Sequence, residues 1–264
     1  MVAAALAVLL VGSAALVVSL YIAGVRKDAE IARARLAEEA RIVVEQAENN
    51  RKQDRALCRE AVAEGNWELA RTLLQRFLDQ PVQEGRMGVP SFDRFKLAAI
   101  SLVVDDRVSY ERVCQEMIAK LDRESPGSDE ERSIRCYFSV PRSPGGPHVR
   151  DLLAIASRIE MIPGYEAWAT MCEGIVQFRM GDYEEARATL LVAIKESNPN
   201  LQVSVRPYLA MTCHHLGEEE EARHYLRGAE SSLRKLESTN VGSIWQERLV
   251  GRLAYEEAQV LLGQ

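Results

Sequence analysis

The sequence predicts an all-α protein: an N-terminal transmembrane helix, a helical stalk, and an α-solenoid of stacked helical hairpins. Three observations carry this expectation. Val2 to Val25 contains no charged residue. Lys27 to Arg59 contains neither Gly nor Pro. Further on, a pattern of small residues, Gly and Leu recurs at a spacing of 36 residues, the mark of a repeated helical unit.

Ala3 to Ala23 is almost wholly Ala, Val and Leu. Such a run makes a helix of about 31 Å, which matches a hydrocarbon core of about 30 Å. A cleaved leader would carry a basic stretch ahead of a shorter apolar run, so residues 1–26 are read as a retained, single-pass transmembrane helix. Arg26, Lys27, Arg33 and Arg35 follow it closely, and the positive-inside rule then places the C-terminal part in the cytoplasm. Residues 27–50, rich in Ala, Glu, Arg and Gln, continue as a helical stalk. Ala29, Ala32, Leu36, Val43 and Ala47 form a thin apolar stripe that Glu39 interrupts. A solvated single helix is favoured over a coiled coil, with a weak stalk-mediated dimer as the alternative.

The chain of 264 residues, 47% of them hydrophobic, is long enough for one or two cored domains. Its 33 basic and 39 acidic residues give a net charge of −6 without a block of one sign, which argues against a nucleic-acid surface. Cys58, Cys114, Cys136, Cys172 and Cys213 are widely spaced and form no CxxC pair, so they read as buried free thiols.

Residues 51–264 are read as the repeat domain. Gly181 and Gly217, Ala186 and Ala222, Leu190 and Leu226, and Ala193 and Ala229 are each 36 residues apart. Small residues at Gly174 and Ala210 let two antiparallel helices approach closely. Gly181 and Gly217 end the first helix in a left-handed turn. Asp182 stands where it can cap the second helix, with Glu184 and Glu185 in the favourable first turn. Upstream, Gly65-Asn66-Trp67-Glu68-Leu69-Ala70 with Leu74 repeats the Gly-x-aromatic pattern. Gly65 and Gly181 leave room for two degenerate copies, Phe92–Val104 paired with Tyr110–Leu121, and Glu130–Val140 paired with Val149–Ile162 around the Pro141–Pro147 loop. Gly145, 36 residues before Gly181, supports that placing. The expected hairpins are 51–84, 89–123, 129–162, 167–200 and 203–236. A capping helix over 244–262 covers the open end with Trp245, Leu249, Leu253 and Leu261.

Gly174, Gly181-Asp182-Tyr183, Ala186 and Ala193 resemble the tetratricopeptide repeat. The resemblance departs at Thr170, where the family has tryptophan, at Asn198, where it has proline, and at Glu219, where it has an aromatic residue. The wider arrangement is similar to the C-terminal tails of bacterial membrane-bound serine/threonine kinases, in Tyr110-Glu111-Arg112-Val113-Cys114 and in Tyr208 through Gly217. These resemblances imply a non-enzymatic protein–protein interaction or scaffold module at a membrane, or else the regulatory or sensor tail of a kinase-type signalling protein. In such kinases the region after the span faces away from the cytoplasm, opposite to the positive-inside expectation.

Catalytic chemistry is missing from the sequence. There is no Gly-rich phosphate loop, His-Arg-Asp or Asp-Phe-Gly motif, and no nucleophile elbow. His214-His215 is the tempting pair, but neighbours on a helix point about 100° apart and no third ligand lies one turn away. No cofactor or metal is expected. In a tetratricopeptide array the first helix of each pair lines a groove, and the resemblance implies that Met171, Ile175, Phe178, Arg179, Met211, His214 and His215 face it. Lys52, Arg55 and Arg59 would join them from the first repeat. Met and aromatic surface edged with cations suits a carboxylate-bearing or amphipathic peptide. The competing reading packs these side chains against neighbouring helices.

Overall fold

The computed structural model describes the chain except for Met1, residues 81–89, 123, 125, 144, 145, 147, 162, 196, 197, 239–244 and 264. For residues 2–20, Pro90, Glu237 and Ser238 it describes the backbone alone. The described residues are all-α: α1 (Val2–Ala63), α2 (Trp67–Asp79), α3 (Pro90–Val103), α4 (Arg107–Ile118), α5 (Ser128–Tyr137), α6 (Val149–Ala156), α7 (Glu166–Met180), α8 (Tyr183–Ala193), α9 (Pro199–His215), α10 (Glu219–Ser238) and α11 (Trp245–Leu262). They divide into two units, residues 1–53 with 80–85, and residues 54–79 with 86–264.

In the first unit, α1 exposes Ile22, Val25, Leu36 and Val43, and Arg41 pairs with Glu38 across one turn at 2.7 Å. Among the described residues no helix is long and apolar enough to cross a membrane. The span expected over 1–26 lies for the most part where side chains are outside the described residues.

The second unit contains the end of α1 and all the later helices. From α2 to α10, each helix packs on its sequence neighbours or on the next helix but one, α2 on α3, α3 on α4 and α5, α5 on α6 and α7, α7 on α8 and α9, and α9 on α10. Four hairpins share one register. Their turn residues adopt positive φ: Gly65 at 72°, Asp105 at 57°, Gly181 at 90° and Gly217 at 76°. After each, the next N–H reaches back five residues, from Asn66 to Ala61, Asp106 to Ser101, Asp182 to Gln177 and Glu218 to Cys213, at 2.8–3.0 Å. This is the closing bond of a glycine-type helix end.

Seven residues before those turns stand Cys58, Ala98, Gly174 and Ala210. Five after them stand Ala70, Tyr110, Ala186 and Ala222, and nine after them Leu74, Cys114, Leu190 and Leu226. All of these are buried. At Gly174 a Cβ would stand 2.7 Å from the Leu190 side chain, so only glycine allows this approach of α7 to α8. In the second hairpin Tyr110 takes the small-residue place and donates its hydroxyl to the Cys136 carbonyl at 2.7 Å.

Several local expectations are corrected. Asp182 occupies the N-cap position of α8 without a side-chain cap bond. The caps that do form are Asp106, which accepts from the Ser109 N–H, and Asn198, which accepts from Asn200 ahead of Pro199. Asn198 is therefore a cap where the family resemblance expects proline. In the third pair α6 stops at Ala156, and its entry is His148 at φ 71°. Gly145 and Ile162 lie outside the described residues. All five cysteines are buried and free.

Candidate functional site

The last helix breaks the sequential order of packing. α11 packs not only on α9 and α10 but also on α3, and Trp245 at its start meets Trp67, with ring centroids 6.2 Å apart. The expectation that Trp245, Leu249, Leu253 and Leu261 merely close the open end is too narrow, because α11 also meets earlier hairpins. Its buried side includes Glu247, Gly251, Ala254 and Ala258, while Arg252, Glu256 and Val260 are exposed.

Two arginines meet this helix from α5 and α7. Arg135 is 3% exposed. It lies between the rings of Phe95 on α3 and Trp168 on α7, at 4.8 and 4.7 Å. It donates to Glu131 one turn earlier, at 2.8 Å, and forms a two-pronged pair with Glu247 of α11. Burial works against the Arg135 charge, but Glu247 and Glu131 outweigh it and hold the guanidinium protonated more firmly than usual. Burial pushes the Glu131 carboxyl above the ordinary range, and Arg135 offsets part of that rise.

Arg179 on α7 is 5% exposed and pairs with Glu257 of α11 through both terminal nitrogens. One of these also donates to the Phe138 carbonyl at 3.2 Å and to the Tyr208 hydroxyl at 3.3 Å. Tyr208 in turn donates to the same carbonyl at 2.9 Å. Burial again opposes the charge, and Tyr208 and Glu257 together outweigh it. The Nε atoms of both arginines are buried with no hydrogen-bond partner among the described residues.

Between the two pairs, α11 comes close to α9. A Cβ on Gly251 would stand 2.8 Å from the Val203 side chain and 3.0 Å from its carbonyl oxygen. That carbonyl is four residues before Pro207, which has no N–H to offer it within the helix.

The structure places the predicted groove residues differently. Met171, Ile175, Phe178 and Met211 are buried in the core and offer no open surface. Arg179 is engaged by its own chain. At the first hairpin, Arg55 pairs with Asp93 at 2.6 Å and lies over Phe77, and Arg59 is exposed. At the last hairpin, His215 stacks on Tyr183 at 4.2 Å, and burial together with His214 lowers its basicity. His214 approaches Glu219 at 2.9 Å. Arg55, His214 and His215 are thus engaged by their own chain, and Arg59 faces solvent. Among the described residues no cluster of His, Cys, Asp and Glu could hold a metal.

Sequence reasoning missed Arg135, Glu131, Glu247, Glu257, Trp168 and Tyr208. The available signal was the pair of acids, Glu247 and Glu257, among the apolar residues of α11. Compared with protein-family profiles, curated proteins and solved structures, the chain matches none of them.

Proposed function

We propose that this chain is a protein–protein interaction or scaffold module made of tetratricopeptide-like hairpins and held at a membrane by its first helix. The observation that carries the reading is the common register of the four hairpins that turn at Gly65, Asp105, Gly181 and Gly217. Hairpins of this kind bury their apolar sides on one another and leave extended surfaces for partners. The uncharged run Val2–Val25 supports the anchor, and the positive residues after it support a cytoplasmic repeat domain. The reading assigns no catalytic role.

Two experiments test it. Photo-crosslinking residues placed in the full chain at Val108, Val192 and Val260, all exposed, should yield adducts with other proteins in cells. Adducts confined to the chain itself would refute the binding role. The full chain should also stay with membranes under alkaline carbonate and be released by Leu10→Arg; release of the unsubstituted chain would refute the anchor.

A further inference from the structure

We infer that α11 is a resident self-ligand: an acidic amphipathic helix occupying the site where a partner's helix of the same chemistry docks, so that the two compete. This rests on the protein-binding reading and gives its partner a chemical class. Three observations converge on it.

The first is contact order. From α2 to α10 the helices pack in series, whereas α11 packs on α9 and α10, also meets α3, and reaches Arg135 of α5 and Arg179 of α7, so that it touches several hairpins at once.

The second is charge. Arg135 and Arg179 are buried cations on two different hairpins, and each takes a carboxylate from α11. Glu247 and Glu257 are ten residues apart, about 15 Å along the helix. A permanent core contact gains little from buried ion pairs, because apolar residues of similar volume fill such places at least as well. What the pairs supply is selection. With α11 gone, an apolar helix would leave Arg135 with Glu131 alone and Arg179 with no carboxylate, only the Phe138 carbonyl and the Tyr208 hydroxyl, and only a helix with carboxylates at that spacing would restore both pairs.

The third is shape. Gly251, four residues after Glu247, faces Val203 so closely that any Cβ must displace something. The ligand class is therefore a helix with an acid, a Gly four residues later, and a second acid six residues beyond that.

The test uses a fluorescent peptide of residues 245–262 and two forms of the full chain, unsubstituted and Glu247→Gln/Glu257→Gln. The substitutions weaken the resident helix and leave both arginines in place. The acidic peptide should bind the substituted chain about tenfold or more tighter than the unsubstituted one, and the same peptide with both glutamates changed to Gln should lose at least that factor. Failure of the acidic peptide to bind a substituted chain of unchanged helix content, or equal binding by the two peptides, overturns the inference.

Should the substituted chain lose helix content, hydrogen exchange on the unsubstituted chain decides. α11 amides must then open independently of α7 and α9 and exchange about tenfold faster or more. Exchange in step with α7 and α9 overturns the inference. Crosslinks from Val108 and Val192 do not require α11 to move, so their persistence in either case would leave the binding role standing.

Discussion

Replacing Arg135 by Met separates a buried charge network from ordinary packing. Arg135 is almost fully enclosed between Phe95 and Trp168, and it alone joins Glu131 of α5 to Glu247 of α11. Methionine fills much of the same space but leaves two carboxylates without their cation. Breaking a buried pair by removing one member costs about 3–5 kcal/mol. For a domain of this size each kcal/mol moves the melting temperature by about 2–4 °C, so the midpoint should fall by about 6–20 °C.

The loss should depend on pH. Burial already raises the Glu131 carboxyl, and Arg135 is what restrains the rise, so without Arg135 it rises further. A carboxyl whose folded value lies above its unfolded one binds its proton more tightly in the native state. Its favourable contribution is complete below the unfolded value of about 4.3 and is lost as pH climbs through the folded value. Arg135→Met should therefore be closest to the parent near pH 5 and furthest from it near pH 8, when both are melted by circular dichroism. Adding Glu131→Gln and Glu247→Gln should recover much of the loss and remove its pH dependence. A loss below about 1 kcal/mol, or one that is the same at both pH values, would refute the description of this triad as a desolvated charge network.

The turns and caps give paired comparisons in urea unfolding. Gly181→Ala, at φ 90°, should cost about 1–2 kcal/mol, whereas Asp105→Gly, at φ 57°, should be neutral or stabilising by up to about 1 kcal/mol. Asp106→Ala removes a formed cap and should cost about 1 kcal/mol, and Asp182→Ala, which removes none, should stay within about 0.5 kcal/mol. Hydrogen bonding from Ser109 holds the Asp106 carboxyl below its usual range, so its contribution should be present above about pH 4 and fade as pH falls through the lowered folded value. The five buried thiols should react with a thiol reagent at about pH 8 at least a hundredfold more slowly in the folded chain than in the unfolded one. Burial pushes Cys213 up to about 11 and Cys172 well above the usual thiol value, so fast labelling of either would contradict the packing.

The helices and most hairpin turns were legible in the sequence because they depend on local chemistry. Gly65, Gly181 and Gly217 announce left-handed turns, and the small and leucine positions around them recur at fixed offsets that the folded chain buries. The second hairpin was harder to see because Asp105 does the work of glycine and Tyr110 fills a small-residue position. Both substitutions are tolerated for reasons outside the repeat: aspartate accepts the left-handed region more readily than most residues, and the Tyr110 hydroxyl finds the Cys136 carbonyl.

The charge network was invisible for a different reason. Arg135 meets a residue 112 positions away and Arg179 one 78 positions away. No periodicity reports a pairing that exists only after the hairpins have stacked. Once they have, Arg179 could be read correctly as a cation seeking a carboxylate and still be misplaced at an open groove, because the carboxylate comes from the same chain. Glu247 and Glu257 place carboxylates against buried arginines at two points of α11 where leucine would have packed with less desolvation. Acidic residues held against that penalty, each opposite a buried arginine on a different hairpin, make the contact conditional on charge. A contact of that kind is strong when paired and highly unfavourable when mismatched, which suits a helix that must hold its place and also yield it to a competitor carrying the same two charges.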